Sequence, residues 1–358
     1  MASWVHDRET WSGASGAEGA PGELWAAVDA LIDRATRLPD LQFHRLHLLA
    51  GRRWRETGRL VPRNLRDAER NAAIATLVAP LVLQQARDAY DRTMVLMKGL
   101  EIARLYPDPA LRPFGDLDLL VPDAAEAQRA LLAAGFELAG TPEPYRDIHH
   151  VQPVRWPGNP LNVELHDRPK WIAGVPAPGR AELLASAVGG TTGVAGVLTL
   201  PPELHAISIA VHAWAHAPLA RLGHLVDLAV VTQGLDREEL DARAQGIGVG
   251  RVWRASIGAA ESLFAGEPRT APLRLWARNL TAVREQTVLE AHVGRWLSPW
   301  WALPRRKALR ANSFTLSREL GRMGDEPWRD KLHRTLRALR NPMHRLSDHR
   351  RGLREEAQ

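Results

Sequence analysis

Hydrophobic spacing along this 358-residue chain changes period twice. From Pro21 to about Tyr90, apolar residues recur every three or four positions, as in "LWAAVDALIDRATRL" and "IATLVAPLVLQQARDAY". That spacing predicts helices that bury one face. The period then shortens, and "TMVLM" and "FGDLDLLV" read as β-type runs separated by the helix-like "KGLEIARLY". Next, "DAAEAQRALLAAGF" predicts a helix with Asp123 as its N-cap and Gly135 as its stop. "IHHVQPVRW" and "PLNVELHD" read as two strands joined by the turn "PGNP". From Pro201 the helical period returns, beginning with "PPELHAISIAVHAWAHAPLARLGHLVDLAVVTQ". No internal repeat is present. The expected fold class is α+β, with a small mixed β-sheet core over residues 92–170. An N-terminal helical region (22–91) and a larger helical domain (171–300) flank it. A helical extension (301–358) closes the chain, and residues 1–21, rich in Gly, Ala and Ser, predict a disordered tail.

Composition narrows the chemistry. There is no cysteine, which excludes disulfides and thiolate metal sites. The N-terminus lacks a basic-then-apolar leader and no apolar run reaches about 18 residues, so a cytoplasmic protein without a membrane partner is expected. The net charge is +6, and it is uneven: residues 301–358 hold 15 Arg and Lys against 7 Asp and Glu. In that tail arginine alternates with acids and leucines, as in "WRDKLHRTLRALRNPMHRL", the pattern of an amphipathic helix with a solvated face.

The unusual feature is "FGDLDLLV". Side chains two apart on a strand share a face, so Asp116 and Asp118 project together while Leu117, Leu119 and Val121 pack behind them. Paired carboxylates repel and desolvate poorly unless a cation holds them. Hard oxygen ligands select Mg²⁺ or Mn²⁺. The ordinary alternative is a strand end where both aspartates meet water. Upstream, a strand runs through Lys98 and Gly99 into a helix, a junction that aims N–H groups and a positive charge at an anion. Downstream, Glu164 in "NVELHD" offers a third carboxylate, and His166 shares its face. Arg112 is placed either to reach phosphate or to pair with Asp116. His149 and His150 alternate on a predicted strand, so at most one faces the acids.

The combination "MKGLEIARLYPDPALRPFGDLDLLVP", then "VELH", then "HAWAH…RLGHLVDLAVV" resembles the bacterial uncharacterised nucleotidyltransferase family of the DNA polymerase β-like superfamily, over roughly residues 70–265. The resemblance implies a nucleotidyltransferase core at 92–170. It implies Asp116, Asp118 and Glu164 as metal-holding catalytic residues, with Lys98, Gly99, Arg112 and His166 binding the nucleotide. It further implies Mg²⁺ or Mn²⁺ and a nucleoside triphosphate, taken as ATP, as co-substrate. The Gly turn here reads Lys98–Gly99–Leu100, without the Gly or Ser that usually follows the glycine in that superfamily. Charge in residues 92–170 is balanced, which favours a small-molecule or peptide acceptor over nucleic acid.

Two other readings stay open. His205, His212 and His216 fall on one helical face, with His224 and Asp227 beyond, a spacing that could hold a transition metal in a phosphohydrolase. The second is a non-catalytic nucleotide-binding regulatory module.

Overall fold

In the computed structural model, residues 21–140, 149–320 and 327–347 are described. The expected disordered tail lies outside them except for Pro21. Helices α1 (Pro21–Arg34), α2 (Leu38–Phe43), α3 (His47–Glu56) and α4 (Arg63–Ala89) precede strand β1 (Met94–Leu96). A single turn, α5 (Leu100–Ala103), leads through a 3₁₀ segment to β2 (Asp116–Leu120). Then come α6 (Ala124–Ala133), β3 (Glu137–Leu138), β4 (Val154–Arg155) and β5 (Asn162–His166). After α7 (Arg180–Ser186), β6 (Val188–Gly189) and β7 (Val197–Thr199) complete the sheet. The helical part runs α8 (Pro202–His216), α9 (Leu222–Val231), α10 (Arg237–Gly246), α11 (Gly250–Phe264), α12 (Ala271–Leu275) and α13 (Arg278–Thr281). It ends with α14 (Val288–Ala302), α15 (Arg305–Leu320) and α16 (Trp328–Arg340).

The seven strands lie in the order β3-β4-β5-β2-β1-β7-β6, a mixed sheet within an α+β fold. β2 pairs in parallel with β5 and antiparallel with β1, while β1 pairs in parallel with β7. The two-residue strands β3 and β6 escape a periodicity reading because two positions have no period. β7 and β6 come from a stretch read as helical from the sequence, so the sheet takes in more chain than 92–170.

The apolar core explains the layering. Leu117 and Leu119 of β2, and Val121 just after it, pack with Ala79, Val82 and Leu83 of α4 and with α6 on one face of the sheet. Helix α6 starts where Asp123 accepts from the Glu126 amide (2.8 Å), as its capping residue predicts. By contrast, α1–α3 share a separate core with α8–α14, including Trp253 and Trp276. The N-terminal helices are therefore divided between the two cores: α1–α3 and the start of α4 (Leu65) serve the C-terminal helices, and the rest of α4, from Ala75 to Ala86, serves the sheet.

Candidate functional site

Strand register builds the site. In the parallel β2–β5 pair, Asp116 stands opposite Asn162, Asp118 opposite Glu164, and Leu120 opposite His166. Opposed residues share a face, so Asp116, Asp118 and Glu164 project from the side away from Leu117 and Leu119. Ligand atoms of Asp118, Glu164 and His166 lie within 4.8 Å of one another. Asp116 is not in that trio. It stands beside it, one pleat along β2, linked through Lys98, whose Nζ is 3.4 Å from Asp116 Oδ2 and 3.1 Å from Asp118 Oδ2. His166 Nε2 sits 3.1 Å from Asp118 Oδ1 and 3.6 Å from Glu164 Oε2.

Burial makes these charges matter. Asp118 is almost fully buried, whereas the Asp116 side chain is 33% exposed and that of Glu164 21%. Burial alone would raise the Asp118 carboxyl, but Lys98 and His166 outweigh it and hold Asp118 well below the usual range. Asp116 moves the other way: burial and the adjacent Asp118 charge raise it. Burial works against a charged Lys98 and a charged His166, yet the carboxylates beside them raise both above their ordinary values. Asp118 Oδ2 and both His166 ring nitrogens are buried without an aligned hydrogen bond. Such orphaned atoms are costly unless something else engages them. Two carboxylates and an imidazole at ligand spacing, with His166 Nδ1 buried and unpartnered, could hold a divalent metal ion.

A ring of bases surrounds the acids. His149 and His150 both stand near His166, at centroid distances of 5.3 and 5.0 Å. Sequence alternation allowed only one, but His150 forms an isolated bridge to His166 and no regular strand passes through His149. Burial and the His166 charge push His149 down to about 3. From α8, His212 Nε2 comes within 3.5 Å of Lys98 Nζ, and its ring lies 4.6 Å from that of His216. His216 in turn accepts from Lys170 Nζ at 2.8 Å. Lys170 carried no motif and was missed, since only the β5–α7 loop path brings it here. Burial and the neighbouring lysine charges keep His212 and His216 neutral, His216 at about 4.

The histidine face of α8 thus meets lysines. Among the described residues, Asp118, Glu164 and His166 are the group at metal-ligand spacing, which removes the support for a phosphohydrolase centre on α8. His205 is a packing residue: its Nε2 bonds Met97 O at 2.8 Å, and burial lowers it to about 4.

Arg112 is placed differently from the sequence expectation. It is buried and forks onto Asp227 of α9, Nε to Oδ1 at 2.7 Å and Nη2 to Oδ2 at 2.9 Å. Its Nη1 donates to Gly99 O at 3.2 Å. Three of its five N–H groups are engaged in this way and the side chain is buried, so Arg112 braces the Gly99 turn against α9. It does not pair with Asp116. Gly99 itself adopts φ +76, ψ −117, and a Cβ there would lie 3.0 Å from Asp116 O. Helix α5 beyond it is one turn long, so its dipole is small and Lys98 is the main cation at this junction.

Among the described residues, no helix is long and apolar enough to cross a membrane. A family described as uncharacterised nucleotidyltransferase matches residues 32–265. The match begins before residue 70 and so takes in α2 and α3. No curated protein and no solved structure matches the chain.

Proposed function

The chain belongs to the uncharacterised nucleotidyltransferase family, and on that premise we propose that it moves a nucleoside monophosphate from a triphosphate to a small-molecule or peptide acceptor. Pyrophosphate leaves, and ATP is the first triphosphate to try. The observation that carries this reading is the β2–β5 register, which sets Asp118 against Glu164, with Asp116 one pleat away and Lys98 touching both aspartates.

Asp116, Asp118 and Glu164, with His166 beside them, would hold Mg²⁺ or Mn²⁺. When bound, such an ion polarises phosphate oxygens and stabilises charge on the leaving group. The remaining work falls to the chain. Lys98 neutralises part of the triphosphate charge, and its contact with neutral His212 keeps the ammonium on the acid side. Glu164, the more open carboxylate of the trio, takes the proton from the acceptor hydroxyl as oxygen attacks the α-phosphorus. One P–O bond to the acceptor forms and the P–O bond to pyrophosphate breaks. His166, fixed between Asp118 and Glu164, orients both carboxylates.

The direct test is incubation with each labelled triphosphate and Mg²⁺ together with pools of small molecules, peptides and RNA. Products are read by mass spectrometry for an added nucleoside monophosphate. Mass gain in the small-molecule or peptide pool, lost in Asp118→Asn, supports the reading. Nucleotide binding without turnover in any pool would instead favour the regulatory module. Thermal unfolding with added Mn²⁺ checks the metal separately. An ion at 100 times its Kd should stabilise the wild type by about 2.7 kcal/mol and leave Asp118→Asn unmoved.

A further inference from the structure

A second opening lies in the C-terminal helical part, between α11, α12 and the α14–α15 corner. It is a cleft of about 720 Å³ whose lining includes Arg251, Arg254, Arg305, Thr270, Trp300 and Trp301. Four of these six lie beyond residue 265, where the family match ends.

Its chemistry is one-sided. Three guanidinium groups line the cleft, and no carboxylate does among the described residues. Three other arginines in this part of the chain have acidic partners: Arg284 with Glu290, Arg237 with Glu261, Arg345 with Asp40. Arg251 is tied to the Leu303 carbonyl at 2.7 Å, which fixes its position at the cleft wall. Arg254 and Arg305 are exposed, with no ion pair among the described residues. Like charges gathered around an opening repel, and an anion between them relieves that repulsion.

The aromatic wall is equally specific. Trp301 is locked edge-on against buried Trp276, at a centroid distance of 4.9 Å and 74° between planes. Next to it Trp300 leaves 39% of its surface to solvent at the cleft. A fixed indole beside an open one offers a stacking platform at little entropic cost, and guanidinium planes extend it. Finally, the Thr270 hydroxyl oxygen is buried on the cleft wall without a hydrogen-bond partner.

Cationic forks and an indole platform together match a flat ring that carries a phosphate. We infer that this cleft is a second nucleotide site, distinct from the Asp118 centre, taking a nucleotide either free or at the end of a single RNA strand. An acidic peptide would satisfy the arginines but leave the indoles unused.

The test is calorimetric titration of the full chain in EDTA with AMP, a short oligoadenylate, inorganic phosphate and an oligoglutamate peptide. Expected is saturable binding of AMP, kept in Asp118→Asn and weakened about tenfold or more in Arg254→Glu, Arg305→Glu and Trp300→Leu. These three positions are at the surface, and an unchanged melting temperature confirms the fold. Oligoadenylate at least tenfold tighter than AMP identifies an RNA end as the natural occupant; equal affinity identifies the free nucleotide. The inference is overturned by AMP binding that survives the three cleft changes, or by binding lost in Asp118→Asn. Phosphate or oligoglutamate binding as well as AMP overturns it too, since that describes a non-selective anion patch.

Discussion

Two buried acid–base clusters sit side by side in this fold, and they are built in opposite ways. Around Asp227, every atom is engaged: Arg112 forks onto both carboxylate oxygens, and Tyr106 donates to Oδ1 at 2.8 Å. Burial opposes ionisation of Asp227, but Arg112 holds it below its ordinary value, while Tyr106 is driven far above its own by burial and by that carboxylate. Around Asp118, the charges are as deeply buried, yet one carboxylate oxygen and both nitrogens of its histidine partner lack an aligned partner. A closed network specifies how two parts of a chain fit together. An open one at the same depth carries a cost that the sequence retains for chemistry. The first cluster joins the Gly99 turn to α9; the second lies where the sheet meets α8, with His212 against Lys98.

The sharpest way to break this contrast is to remove one charged group from each cluster and compare what is lost. Asp118→Asn should lower nucleotidyl transfer by several orders of magnitude, because the metal leaves with the carboxylate. Stability should fall as well, since the buried Lys98 and His166 lose the counter-charge of Asp118, a loss offset only in part by relief of the repulsion that raises Asp116. At Arg112 the loss to look for is in stability. Arg112→Ala leaves Asp227 buried and unpaired and should destabilise by about 3–5 kcal/mol in denaturant titration. In Arg112→Met with Asp227→Leu most of that loss should return, since the uncompensated charge has gone. A single Arg112→Ala variant as stable as wild type would mean the closed cluster is not what joins turn and helix.

How far each cluster could be read from the sequence follows from its range. The Asp116–Asp118 pair is local: period two in an apolar run puts both on one face, and Glu164 with His166 repeats the pattern on the next parallel strand. That Asp118, Glu164 and His166 meet therefore needed only the assumption that the two strands pair. Arg112 was legible as a charge near the turn but not as the partner of Asp227, because 115 residues separate them and nothing local marks the pairing. The same applies to Lys170 and His216. The histidines of α8 looked like a metal set because helical spacing shows which side chains share a face, not what faces them. His149 was misread for another reason: the regular strand assumed around it is only an isolated bridge.

Acid sharpens the comparison further, because the closed architecture depends on neutral histidines. His44 is fully buried, donates through Nε2 to Arg284 O (2.7 Å) and accepts at Nδ1 from the Leu222 amide (3.2 Å). That pairing fixes the neutral tautomer; a proton on Nδ1 would face the Leu222 N–H. Burial accordingly lowers His44 to about 4. Because its folded value lies below 6.5, the unfolded chain takes the proton first as pH falls. Stability is therefore complete above pH 6.5 and is lost on the way down to about pH 4. His44 should contribute about 2–3 kcal/mol of that loss by pH 4.5. Denaturant midpoints measured from pH 7 to 4.5 should fall less steeply in His44→Gln, whose amide can donate and accept at the same places. Identical slopes would remove His44 from the account.

The smallest effect separates the two clusters at the residue they share. Gly99 gives its carbonyl to Arg112 on one side, and on the other a Cβ would meet the backbone oxygen of Asp116. Its φ of +76 with ψ −117 strains any other residue. Gly99→Ala therefore adds backbone strain and a methyl group 3.0 Å from Asp116 O, together about 1–3 kcal/mol. Gly158→Ala is the control, because Gly158 also has positive φ (+73) but has nothing within 4 Å of its added methyl. The control should lose comparable backbone energy with no effect on transfer. Gly99→Ala should lose activity as well, because β2 must shift where Asp116 begins it and the carboxylate moves with the strand. If both variants lose the same stability and neither loses activity, the contact with Asp116 does not position the acid, and the turn belongs wholly to the closed cluster.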